Sequence, residues 1–237
     1  TGTNASFFYP AGVAVDTAGN VYVADQSNHL IRKISPTGVV TTLAGTGAPG
    51  FADGTGTNAS FFYPAGVAVD TAGNVYVADQ SNHLIRKISP TGVVTTLAGT
   101  GAPGFADGTG TNASFFYPAG VAVDTAGYVY VVDRGNDSIR TISPAGVVTT
   151  LAGTGASGFA DGPGTSASFF GPNSVAVDAA GYVYVADSIN FLIRKISPAG
   201  VVTTLAGTVG VTGSADGTGT NASFAGPAGV AVDAAGN

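Results

Sequence analysis

The chain has 237 residues, of which 44% are hydrophobic and 9% charged, with 37 glycines, no cysteine and a formal net charge of −6. The lack of cysteine excludes disulfides, thiolate metal sites and a thiol nucleophile. The acidic balance argues against a nucleic-acid partner, which would need a basic stripe, and no apolar run reaches the roughly 18 residues of a membrane-spanning helix.

One segment of 54 residues organises the chain. Residues 1–54 recur letter for letter as residues 55–108, diverging copies occupy 109–162 and 163–217, and a partial copy occupies 218–237. A period in this range is typical of a propeller, solenoid or array, in which each unit buries its apolar face against the next. We therefore expect a single array over residues 1–237. Because the sequence starts without Met, we interpret it as an internal fragment.

The first unit predicts four strands in chain order. GVAVD at 12–16 and VYVAD at 21–25 flank the turn TAGN, LIRKI at 30–34 follows the turn QSNH, and VVTTLA at 39–44 follows the turn SPTG. Short β-branched runs between such turns are typical of antiparallel hairpins. Residues 45–64 predict a long loop without regular structure, whose aromatic side chains pack over a neighbouring unit.

Four antiparallel strands with apolar residues on both faces cannot bury those faces alone. No ten-residue stretch has a helical period, and a β-helix would need shorter coils, so radial stacking of the units remains. We predict an all-β chain, a β-propeller of four-stranded antiparallel blades with four complete units and the innermost strand of a fifth. An open arc would leave an apolar face bare at each end, so we expect further blades, self-association or closure into a tight ring.

The residues also resemble a known family. Asn28-His29-Leu30 and Asn82-His83-Leu84 spell the motif for which the NHL repeat is named, and the surrounding P-x-G-V-A-V-D, Y-V-A-D and I-R-K-I pieces are similar to its other hallmarks. The third and fourth units instead read Asn136-Asp137-Ser138 and Asn190-Phe191-Leu192. The resemblance implies a propeller, usually of six blades, and we expect a bacterial protein that is extracellular or on the cell surface.

A meander places its turns alternately at two ends. The turn at 26–29 and the long loop at 45–64 therefore share one face, which is longer and more aromatic than the other. Loops on a rigid scaffold commonly carry function, so we take this face as the candidate binding face. Its candidate residues are His29, His83, Asp137, Phe191, Asp53, Asp107, Asp161 and Asp216.

Metal chemistry has few candidates. Six-bladed enzymes that resemble NHL proteins, such as the peptide-amidating lyase, use several histidines around a metal, whereas His29 and His83 are the only two here; a zinc site usually needs three or four ligands. The acidic loop around Asp53 could suit Ca²⁺, but it lacks the alternating spacing and the bidentate Glu of a calcium loop. We predict no cofactor, with Ca²⁺ the one ion left open.

An aspartate and an arginine recur seven residues apart in every complete unit. Strand alternation places both on one face of their hairpin, so we interpret them as structural inter-strand pairs that set the register between blades. A ring of arginines that binds an anionic ligand is the alternative. The pairs are Asp25 with Arg32, Asp79 with Arg86, Asp133 with Arg140, and Asp187 with Arg194.

These features favour a non-enzymatic NHL-type propeller scaffold for protein or glycan recognition through the face with the long inter-blade loops. Near-identical blades present the same contact several times, so weak contacts add up. The alternative is part of a six-bladed lyase-like or lactonase-like enzyme whose catalytic residues lie in blades outside this chain. RNA binding is disfavoured by the acidic charge, and no phosphate-binding loop or Gly-x-Ser-x-Gly motif occurs.

Overall fold

The computed structural model describes residues 4–233 and 235–237, so residues 1–3 of the first unit and residue 234 of the partial fifth unit lie outside it. The strands are β1 Pro10–Val15, β2 Val21–Asp25, β3 Leu30–Ile34, β4 Val40–Ala44, β5 Gly54–Thr55, β6 Pro64–Val69, β7 Val75–Asp79, β8 Leu84–Ile88, β9 Val93–Ala98, β10 Gly108–Thr109, β11 Pro118–Val123, β12 Val129–Asp133, β13 Ser138–Ile142, β14 Val147–Ala152, β15 Gly162–Pro163, β16 Pro172–Val177, β17 Val183–Asp187, β18 Leu192–Ile196 and β19 Val201–Ala206. Across this described part, no helix is long and apolar enough to span a membrane.

Each repeat folds into one antiparallel blade. The strand orders are β1-β2-β3-β4, β5-β9-β8-β7-β6, β10-β14-β13-β12-β11 and β15-β19-β18-β17-β16. The first strands of the four meanders, β1, β6, β11 and β16, pack beside one another and line a central channel. The predicted all-β propeller of four meandering blades is confirmed, and the predicted bounds of β2 and β3 match the structure.

The long loop between blades differs from the prediction. It contains β5, whose Gly54 and Thr55 pair with Val94 and Val93 of β9, followed by a single 3-10 turn at Gly56–Asn58. The second, third and fourth blades therefore each gain a fifth, two-residue strand from the loop that precedes them. The addition has a physical reason, because an outer strand leaves its backbone N–H and C=O groups unpaired until another segment covers that edge.

The core lies between the blades. In the first interface, Tyr22 and Ile31 of blade one pack against Phe61, Val67 and Val77 from the second unit. Equivalent clusters join blade two to blade three and blade three to blade four. Phe61 and its counterparts Phe115 and Phe169 are fully buried, so this loop aromatic packs over a neighbouring unit as expected, whereas Phe51 is 69% exposed. Full burial of such a side chain is worth about 2–3 kcal/mol.

Glycine lets the inner strands approach closely. A Cβ added at Gly66 of β6 would lie 2.4 Å from the carbonyl oxygen of Ala119 in β11, and one at Gly12 would lie 2.5 Å from the carbonyl oxygen of Ala65. Real side chains cannot occupy such positions without a shift of the backbone. The glycine of the repeated P-A-G-V-A-V run is therefore a packing requirement of the narrow channel.

The two ends of the array differ from its middle. Val13 of β1 is 67% exposed, whereas its equivalent in β6, Val67, is 6% exposed because blade one covers it. The partial fifth unit lines the channel beside β16, but it does not form the predicted inner strand. Side chains hold it instead, since Asn173 Nδ2 donates to Ala228 O at 2.8 Å and Val230 N donates to Ser174 Oγ at 3.2 Å.

Candidate functional site

The short turns and the ends of the long loops meet at one end of the propeller. The middle of the loop does not lie there as predicted, since Gly56 N donates at 2.8 Å to Gly92 O in the turn at the opposite end. Ser27 N donates to Phe8 O at 3.1 Å in the first blade, and Ser81 N donates to Phe62 O at 3.0 Å in the second. We call this surface the turn face. It comprises residues 8–9 with 26–29, 62–63 with 80–83, 116–117 with 134–137, and 170–171 with 188–191.

A buried ion pair anchors the turn face in each blade. Asp79 Oδ2 lies 2.9 Å from Arg86 Nη1, and both side chains are fully buried. Asp79 also accepts hydrogen bonds at 2.8 Å from the Phe62 backbone N–H and the Asn82 side-chain amide. Burial raises the pKa of Asp79 to about 6, although these donors and Arg86 favour the ionised form. The equivalent distances are 3.1 Å for Asp25 with Arg32, 2.8 Å for Asp133 with Arg140 and 2.9 Å for Asp187 with Arg194.

Each aspartate–arginine pair joins two adjacent strands of one blade. The second terminal nitrogen of the same arginine, Nη2, makes the contact with the preceding inter-blade loop. Arg86 Nη2 donates to Asp53 Oδ1 at 2.7 Å and to the Ala52 carbonyl at 3.0 Å. Thr96 of β9 donates to the same Asp53 oxygen at 3.2 Å. The structure thus places Asp53 where the loop meets the blade, with its side chain half exposed. Asp107 and Asp161 occupy the same place beside Arg140 and Arg194, and no arginine follows Asp216 in the chain.

The histidine of the N-H-L motif ties consecutive blades together. His83 Nδ1 accepts a hydrogen bond at 3.1 Å from the backbone N–H of Tyr117, which belongs to the next unit. Asp137 has the same role in the third blade, since its Oδ1 accepts the Gly171 N–H at 2.7 Å. The equivalent pair in the first blade is His29 with Tyr63, also at 3.1 Å.

Turn geometry explains why this position can reach the next blade. His29, His83, Asp137 and Phe191 all adopt the left-handed conformation, with φ of 55°, 56°, 46° and 60°. Phe191 carries no acceptor, so the fourth blade cannot make the bond. Desolvation lowers the pKa of both His29 and His83. This favours the neutral imidazole, whose Nδ1 can accept a hydrogen bond from a backbone N–H.

The two histidine links each hold an aromatic side chain at the surface. Tyr63 and Tyr117 have φ of 51° and 50°, a conformation that costs a bulky residue about 1–3 kcal/mol. Their rings meet the His29 and His83 rings nearly edge-on, with centroids 4.9 and 4.8 Å apart. Both tyrosines are nevertheless 40–44% exposed. In the fourth unit Gly171 has this conformation without strain.

Two cavities open at the turn face, and Tyr117 lines one of them. The central channel, of about 770 Å³, has walls of small inner-strand residues and carries Gln26, Gln80 and Arg134 near the turn face. A second cavity of about 430 Å³ shares Gln80 and Arg134 with the channel and is also lined by Tyr117 and Phe170. Sequence analysis did not identify these residues, although the change from QSNH to RGND at 134–137 marks the place.

The histidines and aspartates considered as metal ligands contact other groups of the protein. Among residues 4–233 and 235–237, no group of three or more histidine or aspartate side chains could hold a metal ion. The calcium candidate was the acidic loop around Asp53, which recurs at Asp107, Asp161 and Asp216. The carboxylates of Asp53, Asp107 and Asp161 contact arginine guanidinium groups. His29 and His83 each bind a backbone N–H of the following unit.

Repeated antiparallel blades around a channel define the class of this protein as a β-propeller. The sequence profile of the NHL repeat matches residues 7–34 and 61–88. The chain is 37% identical over 149 residues to the chloroplastic protein SUPPRESSOR OF QUENCHING 1 of Arabidopsis thaliana, and 35% identical over 153 residues to NHL repeat-containing protein 2 of Bos taurus. Each match covers 58% of this chain but only 14% and 21% of those longer proteins. The chain therefore carries NHL repeats and is similar to NHL repeat-containing proteins over part of their length.

Solved structures share the fold at low sequence identity. An auxiliary nutrient binding protein from Bacteroides thetaiotaomicron matches 94% of this chain and 54% of its own, with a TM-score of 0.72 and 18% identity. A chain of the nidogen/laminin complex has a TM-score of 0.62 and 21% identity, over 84% of this chain and 65% of its own. Virginiamycin B lyase from Staphylococcus aureus has a TM-score of 0.56 and 14% identity, over 86% and 57%.

Proposed function

We propose that this chain is a non-enzymatic scaffold that recognises a protein or a glycan through the turn face. The proposal depends on one observation, the strained but exposed tyrosines Tyr63 and Tyr117. Strained backbone persists where the surrounding structure enforces it and is concentrated at ligand clamps and active sites. Exposed tyrosine rings offer a large, rigid contact area with a polar tip.

The surrounding contacts support a preformed site. His83 fixes Tyr117 through both a backbone hydrogen bond and a ring contact, so little side-chain freedom is left to lose on binding. The same arrangement of His29 and Tyr63 lies one blade away. A ligand with repeated groups could engage two equivalent units at once, which raises the apparent affinity through effective concentration.

The composition of the channel supports a binding role over catalysis. In the described part of the chain, its lining side chains are aliphatic, amide, hydroxyl and guanidinium groups, without a carboxylate or an imidazole. General acid–base chemistry usually requires such a group within hydrogen-bond reach of the substrate. The fold shared with virginiamycin B lyase keeps a lyase as the second candidate, with its catalytic groups in further blades.

Two proteins with a similar fold have names that indicate ligand or partner binding, which agrees with the proposed recognition role. One neighbour is called an auxiliary nutrient binding protein, and another is part of the complex of nidogen with laminin. Since their sequence identities are 18% and 21%, they support the proposal through the fold alone.

A paired substitution tests the proposal. Tyr63→Gly with Tyr117→Gly removes the two rings that the histidines hold, leaves Tyr9 in place, and introduces the residue that stands at this position in the fourth unit, Gly171. We expect the unchanged chain to bind members of a glycan array or an extracellular protein library, and the double variant to lose that binding while its circular dichroism and melting are retained. Equal binding by both proteins would refute the turn face as the site.

A further inference from the structure

Arg134 is chemically different from the other basic residues of this chain. Four arginines form ion pairs with aspartates, and three lysines lie over tyrosine rings; these are Arg32, Arg86, Arg140, Arg194, Lys33, Lys87 and Lys195. Arg134 is exposed and has no ion pair, side-chain hydrogen bond or ring contact within the described residues. All five N–H donors of its guanidinium are therefore open to a ligand.

Its position is the mouth shared by two cavities. Arg134 and Gln80 line both the central channel and the neighbouring cavity of about 430 Å³. Tyr117 and Phe170 line the second cavity and are 44% and 40% exposed. A cavity of this size matches the lower range of small-molecule sites.

The turn that carries Arg134 keeps the 3-10 backbone of its copies but differs from them in its side chains. A Cβ at Gly135 would lie 2.4 Å from the Phe116 ring and 2.6 Å from the Phe116 carbonyl oxygen, so the turn rests directly on Phe116. The nearby acid does not neutralise Arg134, because Asp137 accepts hydrogen bonds from Gly171 N at 2.7 Å and from Ser157 Oγ at 2.6 Å. The third blade thus has an arginine without an ion-pair partner among the described residues, next to an aspartate whose oxygens already accept hydrogen bonds from Gly171 and Ser157.

We propose that this mouth binds a carboxylated sugar of the uronate type, an inference that rests on the proposed function. A guanidinium matches a carboxylate with two parallel N–H···O bonds. The Gln80 amide can donate to and accept from sugar hydroxyls, and the flat faces of Tyr117 and Phe170 can pack on the apolar face of a sugar ring. The net charge of −6 does not forbid this, because charges beyond about 8 Å are largely screened at physiological salt.

The test is calorimetric titration of the whole chain with trigalacturonate and with its neutral methyl ester. The matched variant is Arg134→Gln, which restores the residue of the first two units, Gln26 and Gln80, and so keeps the fold. We expect the affinity of trigalacturonate for the unchanged chain to be about tenfold or more above its affinity for the variant. This is the contribution that a charge-assisted hydrogen-bonded pair usually makes. The methyl ester should bind both proteins equally weakly.

Three outcomes would overturn the inference. They are no binding of trigalacturonate, equal binding by Arg134→Gln, or equal binding of acid and ester. Inorganic phosphate in a parallel titration separates sugar recognition from simple anion binding, and phosphate affinity equal to that of trigalacturonate would reject the sugar. If trigalacturonate fails while another ligand is lost in the Tyr63→Gly and Tyr117→Gly variant, the proposed function stands and only the uronate inference falls.

Discussion

Asp79 and Arg86 form a fully buried ion pair across β7 and β8, and the same guanidinium holds Asp53 of the incoming loop at 2.7 Å. One side chain therefore connects the turn face, the hairpin beneath it and the link between units. Removing one partner of such a pair leaves an uncompensated charge in the interior, which is far more costly than losing the pair as a whole.

Replacing Arg86 with Leu should lower the free energy of unfolding by about 3–5 kcal/mol, because Asp79 would stay buried without its partner. Urea denaturation measures this. Asp53→Asn is the control, since it removes a half-exposed partner and should cost about 1 kcal/mol or less. Unchanged stability of Arg86→Leu would contradict the structural role and would favour the alternative of an arginine ring for anions.

Gly66→Ala should destabilise the chain by about 1–3 kcal/mol, the usual cost of overpacking. The added methyl group would collide with the Ala119 carbonyl oxygen. Gly229→Ala is the matched control, because Gly229 is the equivalent glycine in the P-A-G-V run of the partial fifth unit and nothing lies within 4 Å of its added Cβ. The measurement is the melting temperature of each variant, and we expect it to fall for Gly66→Ala but not for Gly229→Ala. Equal melting temperatures would show that the inner strands are not closely packed.

Acid should weaken the histidine links between blades. Since the pKa values of His29 and His83 are lowered by desolvation, the unfolded chain binds more protons. Their contribution is present above the ordinary pKa of about 6.5 and is lost as the pH falls towards the lowered folded value. Asp79 acts in the opposite sense, because its pKa is raised to about 6: its contribution is present below pH 3.8 and is lost as the pH rises through about 6.

The two effects can be separated with a substitution that the chain already uses. His29→Asp with His83→Asp introduces the residue of the third blade, whose carboxylate accepts the same backbone bond. Between pH 7.5 and 5.5 the unchanged chain should lose stability relative to this variant. Histidine NMR titration should also give pKa values below 6.5, and values above it would reject the link.

The left-handed tyrosines should contribute little to stability. Tyr117→Gly relieves a backbone strain of about 1–3 kcal/mol but loses the ring contact with His83 and adds chain entropy to the unfolded state. These terms have opposite signs, so we expect the free energy of unfolding to change by about 1 kcal/mol or less. A loss above 3 kcal/mol in chemical denaturation would identify Tyr117 as a packing residue instead.

The bare side of the first blade should promote association of the 237-residue chain. Val13 and Val15 are 67% and 64% exposed, and the equivalent Val67 is covered by a neighbouring blade. Val13→Lys with Val15→Lys should reduce concentration-dependent sedimentation without lowering the melting temperature. A compact monomer at all concentrations of the unchanged chain would show that this face needs no cover.

The sequence by itself determined the repeat, the four meandering strands and the turns between them. VYVAD and LIRKI became β2 and β3 at the predicted bounds, because β-branched runs closed by Gly- and Asn-containing turns are decided locally. Stacking into a propeller also followed from the sequence, since a blade that is apolar on both faces must pack against its copies.

Tertiary structure alone decided what the loop and turn residues contact. His83 bonds to Tyr117 and Arg86 bonds to Asp53, partners that lie 34 and 33 positions apart and meet only after the blades stack. The gathering of Arg134, Gln80 and Phe170 at one mouth has the same cause. Strand periodicity specifies the side of a sheet that a residue occupies, but the twist and radial placement of whole blades set which residues of different blades become neighbours.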